Sequence, residues 1–600
     1  MSTDVILRII DDNDRDEIWY CDQLLLLGQL IAWAWLEKKH LLPSSLSISG
    51  LQPSTLRENL ARLSALTDPA CHPDIFAFSC LQAIPQDKLD ALIGNLNKAL
   101  QAELIIYQEI PHTLQHLINR SGTHTPFWTL PDDIARLMTL LLTPEKDSSC
   151  YCPFYGTLSA ACRLATQQQD VCTELPLASP LPYITNLLTD QTIRHRVSHP
   201  VFNPAWVKPG ALIQFDYCLA CPPARQRYNV KQINDLYGRF PEQPLYGDII
   251  HVRHLLSQCR KQAIAVITES ILQRTAGKEW GFKKQLLEAG MIKAVVRLPS
   301  SSLAPYRETP CLMILDKQRH HHDLMIFDAS IKYFRAHTKR VRIYPQPDTL
   351  RNLDVIYQQI EEQEISAHSR LVSYDELAAN DYNLQIDRYL TKTPSKQLKA
   401  VSSETVPLSE LADLIRGQSV KSDDVLNGDQ FLEVMVSDIS AEGVIEQASK
   451  PVIVNKYRER ALQQRLRPGD ILLVIKGHTG KVGLVPTICG NNWIASQSFQ
   501  IIRLKKGTWI KDPVVLFQYF SSSVGQAVLR QLRSGASVPL LQTRDIKKLP
   551  VPRMTDDEQD MARKHWEEIR SIHAEIRFLQ DKALTFRHKI WKSQPNRGSA

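Results

Sequence analysis

The sequence lacks the features of a secreted or membrane-bound protein. Its 12 cysteines are scattered along 600 residues, without the density or regular spacing of a disulfide framework. The first residues contain neither the basic nor the apolar segment of a secretory signal. The longest apolar run, Leu24–Trp35, is interrupted by Gln29 and is shorter than the ~20 residues that a membrane span needs. We therefore predict a buried helix at this run, a cytoplasmic protein and no membrane partner.

Compositional bias is also missing. Hydrophobic residues make up 43% of the chain and charged residues 22%, which is typical of a globular protein and excludes a fibrous or a disordered one. At roughly 150 residues per domain, the length predicts about three to four domains. A single small binding module is therefore excluded.

A strong overall charge is absent, but the charge that exists is concentrated in one segment. The formal net charge is +7, which is too small for this length to require a nucleic-acid partner. Residues 451–550, however, contain 16 Lys and Arg against 4 Asp and Glu, a local charge of +12. This excess indicates an anionic partner for that segment. A solvated basic face is the alternative interpretation.

The pattern of apolar residues divides the first two thirds of the chain into two regions. Residues from about Glu17 to Leu142 are typical of successive helices broken by proline. From about Ser149 to Ala329, short apolar runs alternate with helical stretches, which predicts a mainly parallel sheet covered by helices. The expected strands are Leu212–Ala220, Ala263–Thr268, Ile292–Leu298, Cys311–Asp316 and Leu324–Phe327.

The C-terminal third has a different pattern. Thr391–Pro407 is rich in Thr, Ser, Lys and Pro and is typical of a linker. The strands expected beyond it are Phe431–Val436, Ile471–Ile475 and Phe499–Leu504. From Thr555 to Trp591, apolar residues recur at alternating intervals of three and four, which predicts one long helix with a coiled-coil seam. The seam consists of Ile569, Ile572, Ile576, Leu579, Ala583, Phe586 and Ile590.

Ten segments between residues 17 and 390 carry a family resemblance. They are Gly122–Pro126, Ile134–Met138, Phe215–Pro223, Tyr246–Asp248, Ala263–Thr268, Lys284–Gly290, Ala294–Pro299, Thr309–Leu315, Phe327–Ser330 and Asn380–Leu384. In this order they resemble the modification subunit of type I restriction–modification systems, an N6-adenine DNA methyltransferase. The resemblance implies a Rossmann-like methyltransferase sheet, with Thr125 and Pro126 at the entrance to the site for S-adenosylmethionine.

The residues expected to bind S-adenosylmethionine depart from that family's pattern. The family uses an acidic residue, a proline and a glycine-rich turn, because only glycine lets the backbone approach the methionine moiety closely. Pro153 and Gly156 are kept here. Cys152, however, replaces the acid, and Leu158 and Ser159 replace the later glycines. We therefore expect an occluded pocket without a cofactor, or S-adenosylmethionine as the cofactor if the protein is active.

The loop that corresponds to the family's catalytic loop departs as well. A flipped adenine has to be stacked on an aromatic ring while its exocyclic amine is held. The family supplies an Asn side chain and the following proline carbonyl as acceptors, and an aromatic residue as the platform. The loop here consists of Cys221, Pro222, Pro223 and Ala224, which lacks both the Asn and the aromatic residue. These losses predict a methyltransferase-like protein without activity.

A second resemblance involves the basic C-terminal part. Its segments are Phe431–Ile439, Leu466–Leu473, Lys476–Gly483, Ser534–Leu541 and Asp545–Pro552. In this order they are similar to one target-recognition domain of a type I specificity subunit, and the helix that follows is similar to its spacer helix. The resemblance implies that double-stranded DNA is a partner. Since specificity subunits pair two such helices and this chain has one, it also implies a homodimer or a hetero-oligomer.

The candidate DNA-contacting residues combine cations for phosphates, amides for base edges and glycines for tight turns. They are Lys476, Gly477, His478, Thr479, Gly480, Lys481, Asn491, Asn492, Gln497, Arg503, Lys505, Lys506 and Arg544.

A metal site is not predicted. Two cysteine pairs, Cys150 with Cys152 and Cys218 with Cys221, could be imagined as zinc ligands, but no knuckle with Gly or His nearby supports this. His320–His322 is typical of a solvated turn between two strands.

Three functions are consistent with these residues. The first is a DNA-binding, catalytically inactive methyltransferase-like subunit of a prokaryotic restriction-like or antiphage system, with a nuclease, helicase or toxin as its partner. The second is an active adenine-N6 DNA methyltransferase of a fused modification–specificity type. The third is a protein-interaction scaffold that regulates a neighbouring toxin or nuclease.

The predicted fold class is α/β. Its domains are a helical N-terminal domain (1–145), a methyltransferase-like α/β domain (146–392), a linker (393–406), an α+β target-recognition domain (407–554), a C-terminal coiled-coil helix (555–592) and a flexible tail (593–600).

Overall fold

The computed structural model forms two compact units, Met1–Leu390 and Thr391–Ala600. The residues that it describes are 2–10, 17, 19–49, 51–77, 81, 83–120, 126–167, 169–224, 226–229, 233, 235–241, 247–275, 277–300, 302–303, 306, 308–336, 349–390, 404–420, 428–440, 442–534 and 540–589. Across these ranges, no helix combines the length and the hydropathy that a membrane span requires.

The first unit begins with helices that surround one nearly apolar helix. The helices of the unit are α1 (Ser2–Ile9), α2 (Tyr20–Lys38), α3 (Pro53–Ser64), α4 (Gln86–Gln101), α5 (Ile110–Arg120), α6 (Asp132–Leu142), α7 (Leu158–Thr166), α8 (Leu181–Thr189), α9 (Gly247–Ser257), α10 (Glu269–Gln273), α11 (Gly277–Glu288), α12 (Leu353–Glu361), α13 (Tyr374–Ala379) and α14 (Ile386–Leu390). Nearly every residue of α2 is buried, because α1, α3, α4, α5 and α8 pack around it. The buried helix predicted at Leu24–Trp35 is thus confirmed.

A nine-stranded sheet forms the centre of the same unit. The strands of the unit are β1 (Ser149–Pro153), β2 (Asp170–Leu175), β3 (Arg194–Val197), β4 (Val207–Lys208), β5 (Ala211–Leu212), β6 (Phe215–Ala220), β7 (Cys259–Thr268), β8 (Ile292–Arg297), β9 (Pro310–Asp316), β10 (Leu324–Asp328), β11 (Arg335–Ala336), β12 (Thr349–Leu350) and β13 (Ser369–Val372). The order in the large sheet is β13-β10-β8-β9-β7-β6-β1-β2-β3. The five predicted strands are present, although Leu212–Ala220 is divided between β5 and β6.

The sheet is mixed, although most of its pairings are parallel as predicted. Strand β9 runs antiparallel to both of its neighbours, β7 and β8, and β13 runs antiparallel to β10. The other five pairings are parallel. Along β7, Ala263 and Ala265 belong to one core and Ile264 and Val266 to the other. Both faces are therefore covered, which is why this strand is a continuous apolar run.

The second unit contains two small sheets. Its strands are β14 (Thr405–Pro407), β15 (Ala412–Arg416), β16 (Asp429–Val434), β17 (Lys450–Val454), β18 (Ile471–Val474), β19 (Val482–Leu484), β20 (Trp493–Ala495), β21 (Phe499–Leu504), β22 (Arg533–Ser534), β23 (Leu540–Leu541) and β24 (Pro550–Pro552). One sheet has the order β15-β21-β18-β19 and the other β17-β16-β20. The strands predicted at Phe431, Ile471 and Phe499 are present. The predicted linker overlaps β14, which is extended because it pairs with β24.

The long C-terminal helix begins at a capping box. The helices of the unit are α15 (Leu408–Leu411), α16 (Arg458–Gln463), α17 (Pro513–Ser521), α18 (Ser523–Gln531), α19 (Thr543–Lys547) and α20 (Asp556–Lys589). The amide of Thr555 donates to the Glu558 carboxylate, and the amide of Glu558 donates to Thr555 Oγ1. This reciprocal pair satisfies amides that have no partner inside the helix, which explains the start of α20.

Helix α20 lies against its own unit along one face and leaves another face open. Trp566 packs edge-on against Phe517 with ring centroids 5.0 Å apart, and Gln559 bonds both the Lys511 amide and the Trp509 carbonyl. The predicted seam lies on a different face: Ile569, Ile572, Ile576, Leu579 and Phe586 are 40% to 57% exposed and Ala583 is exposed too. Ile590 lies outside the described residues.

Candidate active-site loop and nucleic-acid groove

Two loops meet at the carboxyl edge of the nine-stranded sheet. Strands β1 and β6 are parallel neighbours, so the loops that follow them lie side by side. A Cβ atom at Gly156 would lie only 2.4 Å from the carbonyl oxygen of Cys221. The Cys221 amide donates to Thr157 Oγ1 at 2.9 Å, and this hydroxyl donates to the Pro153 carbonyl at 2.6 Å. The two loops are therefore in direct contact, and Gly156 permits that contact because it has no side chain.

The Pro222 carbonyl already has a hydrogen-bond donor. The Tyr306 hydroxyl, which comes from a segment 84 residues further along the chain, donates to it at 2.6 Å. Both Tyr306 and Pro222 are buried. A carbonyl that a flipped base could otherwise contact is thus bonded to a side chain of the same protein.

The cysteines in these loops are neutral thiols. Burial raises the pKa of Cys152 well above its ordinary value. Burial also raises the pKa of Cys221. A neutral Cys152 cannot supply the negative charge of a carboxylate, and the Cys221 thiol is only a weak acceptor compared with an Asn side chain.

A buried polar network lies behind the first loop. Glu174, near the end of β2, accepts hydrogen bonds from the Tyr151 hydroxyl at 2.7 Å and from the Ala205 amide at 2.8 Å. The Tyr151 hydroxyl also contacts His254 Nε2, and the other ring nitrogen of His254 contacts the Arg239 guanidinium. Burial raises the pKa of Glu174 to about 7. In dinucleotide-binding sheets an acid about 20 residues beyond the first loop holds a ribose hydroxyl, but here both carboxylate oxygens are bonded to the protein.

The other residues predicted at this edge differ in position. Thr125 lies outside the described residues, and Pro126 is exposed. Pro153 is buried at the end of β1, Pro223 is exposed and Ala224 is half-buried. The structure thus brings Pro153, Gly156 and the Cys221 loop together, while Pro126 lies at the surface.

The second unit contains a wide groove of about 1010 Å³. The residues predicted at Lys476–Lys481 form the turn between β18 and β19, and all of them except Lys476 line the groove. Val482 of β19, loop residues before β17, and single residues of α17, α18 and β22 provide the rest. The lining residues are Val436, Ser437, Ser440, Glu442, Gly443, Gly477, His478, Thr479, Gly480, Lys481, Val482, Ser521, Gln526 and Arg533.

Side chains from elsewhere in the unit hold this turn in place. Arg533 donates to the Thr479 carbonyl at 2.6 Å, and the Gln526 amide group donates to the Gly480 carbonyl at 2.8 Å. Lys481 Nζ donates to the Ile439 carbonyl at 2.8 Å. Lys476, Gly477 and His478 stay exposed. The groove therefore presents a fixed backbone with cationic and hydroxyl side chains around it, which suits an anionic polymer.

The strand register divides the predicted DNA-contacting residues between two ends of the sheet. Strand β18 runs antiparallel to β21, with Val474 opposite Phe499 and Ile471 opposite Ile502. The Lys476–Lys481 turn and Gln497, which is exposed, therefore lie at one end. Lys505 and Lys506, which follow β21, lie at the other end of the sheet. The loop that contains Asn491 and Asn492 also starts at that end.

Several of the predicted cations are engaged inside the unit. Arg503 forms an ion pair with the buried Asp470 at 2.7 Å. Lys505 Nζ donates to the Ser409 carbonyl at 2.7 Å. Lys506 and Asn491 are exposed, whereas Asn492 and Arg544 are half-buried. The turn at Lys476 is thus a more accessible basic surface than the end of β21.

One groove residue also contacts the long helix. The Glu442 carboxylate lies 3.4 Å from the Arg577 guanidinium and 3.8 Å from His573 Nδ1. Arg577 also pairs with Glu446. These contacts hold the middle of α20 against the loop that forms one wall of the groove.

Sequence reasoning missed Tyr306, Glu174 and Arg533. Their roles depend on packing between distant segments, so no local pattern marks Tyr306 or Arg533. Glu174 had a usable signal, because it is an acid at the end of the strand that follows the first loop. Over the described residues, His, Cys, Asp and Glu form no group of three or more that could hold a metal.

Known proteins are similar to the first unit. Residues 188–397 match the family model described as N-6 DNA Methylase. Over 220 residues, the chain is 27% identical to the methylase subunit of the type I restriction enzyme MjaVII from Methanocaldococcus jannaschii. This alignment covers 36% of each of the two chains. Over 179 residues, it is 23% identical to the methylase subunit of the type I restriction enzyme MpnII from Mycoplasma pneumoniae, which covers 30% of this chain and 32% of that one.

A solved structure is similar as well. The methyltransferase subunit of a type I restriction-modification system from Streptococcus thermophilus superposes with a TM-score of 0.50 and 18% identity, over 64% of this chain and 96% of that one. At this identity the similarity shows a shared fold.

The extent of these matches limits what they show. The chain spans about a third of the length of the curated relatives it matches. The methylase model begins after the Gly156 loop and includes the Cys221 loop. The first unit therefore contains an N-6 DNA methylase-like domain in a methyltransferase-like α/β fold.

Proposed function

We propose that this protein binds double-stranded DNA through its second unit and that its methylase-like unit does not transfer methyl groups. The observation that carries the second statement is the hydrogen bond from Tyr306 to the Pro222 carbonyl. An adenine amine needs this carbonyl and an Asn side chain as acceptors. Here the carbonyl already accepts a hydrogen bond from a buried tyrosine, and Cys221 stands in the place of the Asn. A base would therefore share one acceptor with Tyr306 and lack the other.

The residues at the cofactor position do not fit S-adenosylmethionine. The backbone at Gly156 packs on Cys221, so the space beside the first loop is filled by the protein. Cys152 is neutral, and Glu174 is bonded to Tyr151 and Ala205. A ligand would have to separate the two loops and break these bonds. We therefore assign no cofactor and derive no reaction step through one.

DNA binding is assigned to the groove and to the basic surface around it. Its turn is held by side chains that donate to its backbone carbonyls, so cations can meet phosphates without ordering a flexible loop first. Because phosphate contacts release counterions, the affinity should fall steeply with salt. The local charge of +12 over residues 451–550 supports this assignment.

The exposed seam of α20 is proposed to pair with a second helix. The seam residues lie on a face that the helix does not use for its own unit, and an apolar stripe of this spacing is stabilised by a partner stripe. A homodimer would present two DNA-binding units, while a hetero-oligomer would recruit another protein. We place this assembly in a prokaryotic restriction-like or antiphage system of the cytoplasm, in which a nuclease, helicase or toxin partner supplies any cleavage.

Three measurements on the full-length chain test the proposal. Titration calorimetry with S-adenosylmethionine is expected to give no binding heat, and incubation with duplex DNA and radiolabelled S-adenosylmethionine is expected to leave the DNA unlabelled. Binding of the cofactor together with labelled adenine would overturn the inactive assignment. Gel-shift titration should show duplex binding that weakens with salt.

The oligomer is tested separately. Ile572→Glu with Ile576→Glu should convert the assembly to monomers in light scattering, because two charges on the seam disfavour burial. Phe578→Glu is the matched control, since Phe578 is exposed on the same helix but does not belong to the seam. Dissociation by the control alone, or by neither variant, would contradict the seam assignment.

An active adenine-N6 methyltransferase is the second candidate. The observation in its favour is that the methylase model includes the Cys221 loop. It predicts a modified sequence motif in the DNA of cells that express the protein, and loss of that motif on Pro222→Ala with Pro223→Ala. Unmodified DNA in such cells argues for the inactive assignment.

A further inference from the structure

The loop between β19 and β20 carries an unusual side chain at its tip. Ile488 is 90% exposed, more than any other large apolar residue in the described part of the chain. It does not belong to the seam of α20, and no apolar neighbour covers it. An isolated side chain of this kind is too small a surface for a stable protein interface.

The base of this loop is rigid. The Val485 amide donates to the Asp470 carbonyl at 2.9 Å, and the Trp493 amide donates to the Gly490 carbonyl at 3.1 Å. A Cβ at Gly490 would lie 2.7 Å from Trp493 Nε1, so the turn is packed directly on the indole. Ile488 itself is β-branched, which restricts its χ1 rotation. Its side chain is therefore held outward by a stiff support.

The segment beside this loop is basic. Leu466 donates its amide to the Trp493 carbonyl at 2.9 Å, and Gly469 donates to the Val485 carbonyl at 3.0 Å. These bonds place the segment with Arg465 and Arg467, both exposed, next to the loop. The carboxylate of Asp470 in the same segment is buried and paired with Arg503. The base of the loop thus lies next to a segment with two exposed cations.

We propose that Ile488 is a wedge that enters between stacked base pairs of duplex DNA and bends the duplex. DNA-bending proteins combine an inserted apolar side chain with cations that hold the flanking phosphates. Ile488 has the size and stiffness for the first role, and Arg465 and Arg467 have the charge and position for the second. The charges favour DNA over an apolar protein surface. This proposal rests on the proposed DNA binding of the second unit.

The test measures DNA bending and affinity together. The wild-type full-length chain first selects a duplex of about 30 base pairs from a random pool, and the selected duplex is labelled at its ends with a donor and an acceptor dye. Wild type should increase energy transfer. Ile488→Ala should remove most of that increase in energy transfer. It should lower the affinity for DNA by about tenfold or less, because the free energy gained from the wedge contacts is largely offset by the cost of unstacking the base pairs. Ile488→Leu should retain the bend.

Control variants separate the wedge from the cations. Ile365→Ala removes an equally large side chain that is 70% exposed in the first unit, and it should bend DNA like wild type. Arg465→Ala with Arg467→Ala should reduce the slope of log affinity against log salt by about 2. Substitution at so exposed a position should leave the unfolding midpoint of Ile488→Ala unchanged.

Each other outcome has a distinct meaning. If wild type retains no duplex from the pool, the proposed DNA binding and the wedge both fail. If wild type binds but the duplex stays straight, or if Ile488→Ala bends it fully, the wedge alone is overturned. Loss of a co-purifying protein on Ile488→Ala, with bending intact, would instead assign Ile488 to a protein contact.

Discussion

The two candidate sites of this protein differ in what fills them. At the edge of the nine-stranded sheet, two buried polar groups are bonded to side chains of the same protein: Tyr306 donates to the Pro222 carbonyl, and Tyr151 donates to Glu174. In the second unit, side chains brace the Lys476 turn from behind and leave its front open. The first arrangement has become part of the core, whereas the second has the form of a binding surface.

This difference concerns how the polar groups of each site are satisfied. Buried polar groups must be hydrogen-bonded, and at the sheet edge their partners come from the protein itself. Internal bonds of this kind contribute to stability. Changes at the first site should therefore alter unfolding, and changes at the groove should alter DNA binding alone.

The largest effect is expected from Tyr306→Ala. Removing a buried aromatic side chain leaves a cavity and should lower the free energy of unfolding by about 3–5 kcal/mol. Chemical denaturation followed by circular dichroism measures this change. DNA affinity at a temperature where the variant is folded should match wild type. An unfolding midpoint equal to that of wild type would contradict the description of a filled site.

A smaller loss is expected from Tyr306→Phe. This variant keeps the ring and removes only the hydroxyl, so the Pro222 carbonyl loses its buried donor at a cost of about 1–3 kcal/mol. The same denaturation experiment applies. The variant should still fail to bind S-adenosylmethionine in calorimetry, because the loop contact at Gly156 is unchanged; detectable binding would show that Tyr306 alone closes the site.

The groove should respond in DNA affinity. In Lys476→Ala, which leaves the bond between Lys481 and the Ile439 carbonyl intact, one phosphate contact is lost and the salt slope should fall by about 1, so between 0.05 and 0.2 M salt the affinity of wild type should drop about threefold more than that of the variant. Lys146→Ala is the matched control, because Lys146 is exposed in the first unit. An equal loss in both variants would indicate a general charge effect and no specific groove.

Stability should also depend on pH. Burial raises the pKa of Glu174 from 4.5 to about 7, so between these values the folded state binds more protons than the unfolded state. Stability contributed by this group is present below about pH 4.5 and is lost as pH rises through about 7, with a slope of at most ~1.4 kcal/mol per pH unit. Glu174→Gln should remove this part of the slope of unfolding free energy against pH, measured by chemical denaturation at a series of pH values. An unchanged slope would contradict a raised pKa of Glu174.

The sequence predicted those elements that have a clear period. The apolar runs of β7, β8, β9 and β10 indicated strands buried on both faces, and the three-four spacing indicated α20. Strands β1 and β3 lack such runs: one has the sequence SCYCP and the other RHRV. Their place in the sheet comes from pairing with neighbours, which no local pattern contains.

The candidate sites were predictable in part for a similar reason. The Cys221 loop lacks an Asn and an aromatic residue, and this lack can be read directly from the sequence. A replacement partner such as Tyr306 comes from a distant segment and becomes visible only in the fold. Likewise, a count of lysines and arginines indicated a basic unit, but it could not separate Arg503, which is paired with Asp470, from the exposed Lys476.

The position of Glu442 has a consequence for assembly. Its carboxylate lines the groove, where it would repel a phosphate, and it faces Arg577 and His573 of α20. The Arg577 guanidinium offsets that repulsion as long as the helix stays docked. Anything that pulls α20 away would leave an uncompensated carboxylate in the path of DNA. Helix pairing and DNA affinity are then thermodynamically linked. A partner that keeps α20 docked binds more tightly to the DNA-bound protein, and DNA binds more tightly to the protein that carries this partner.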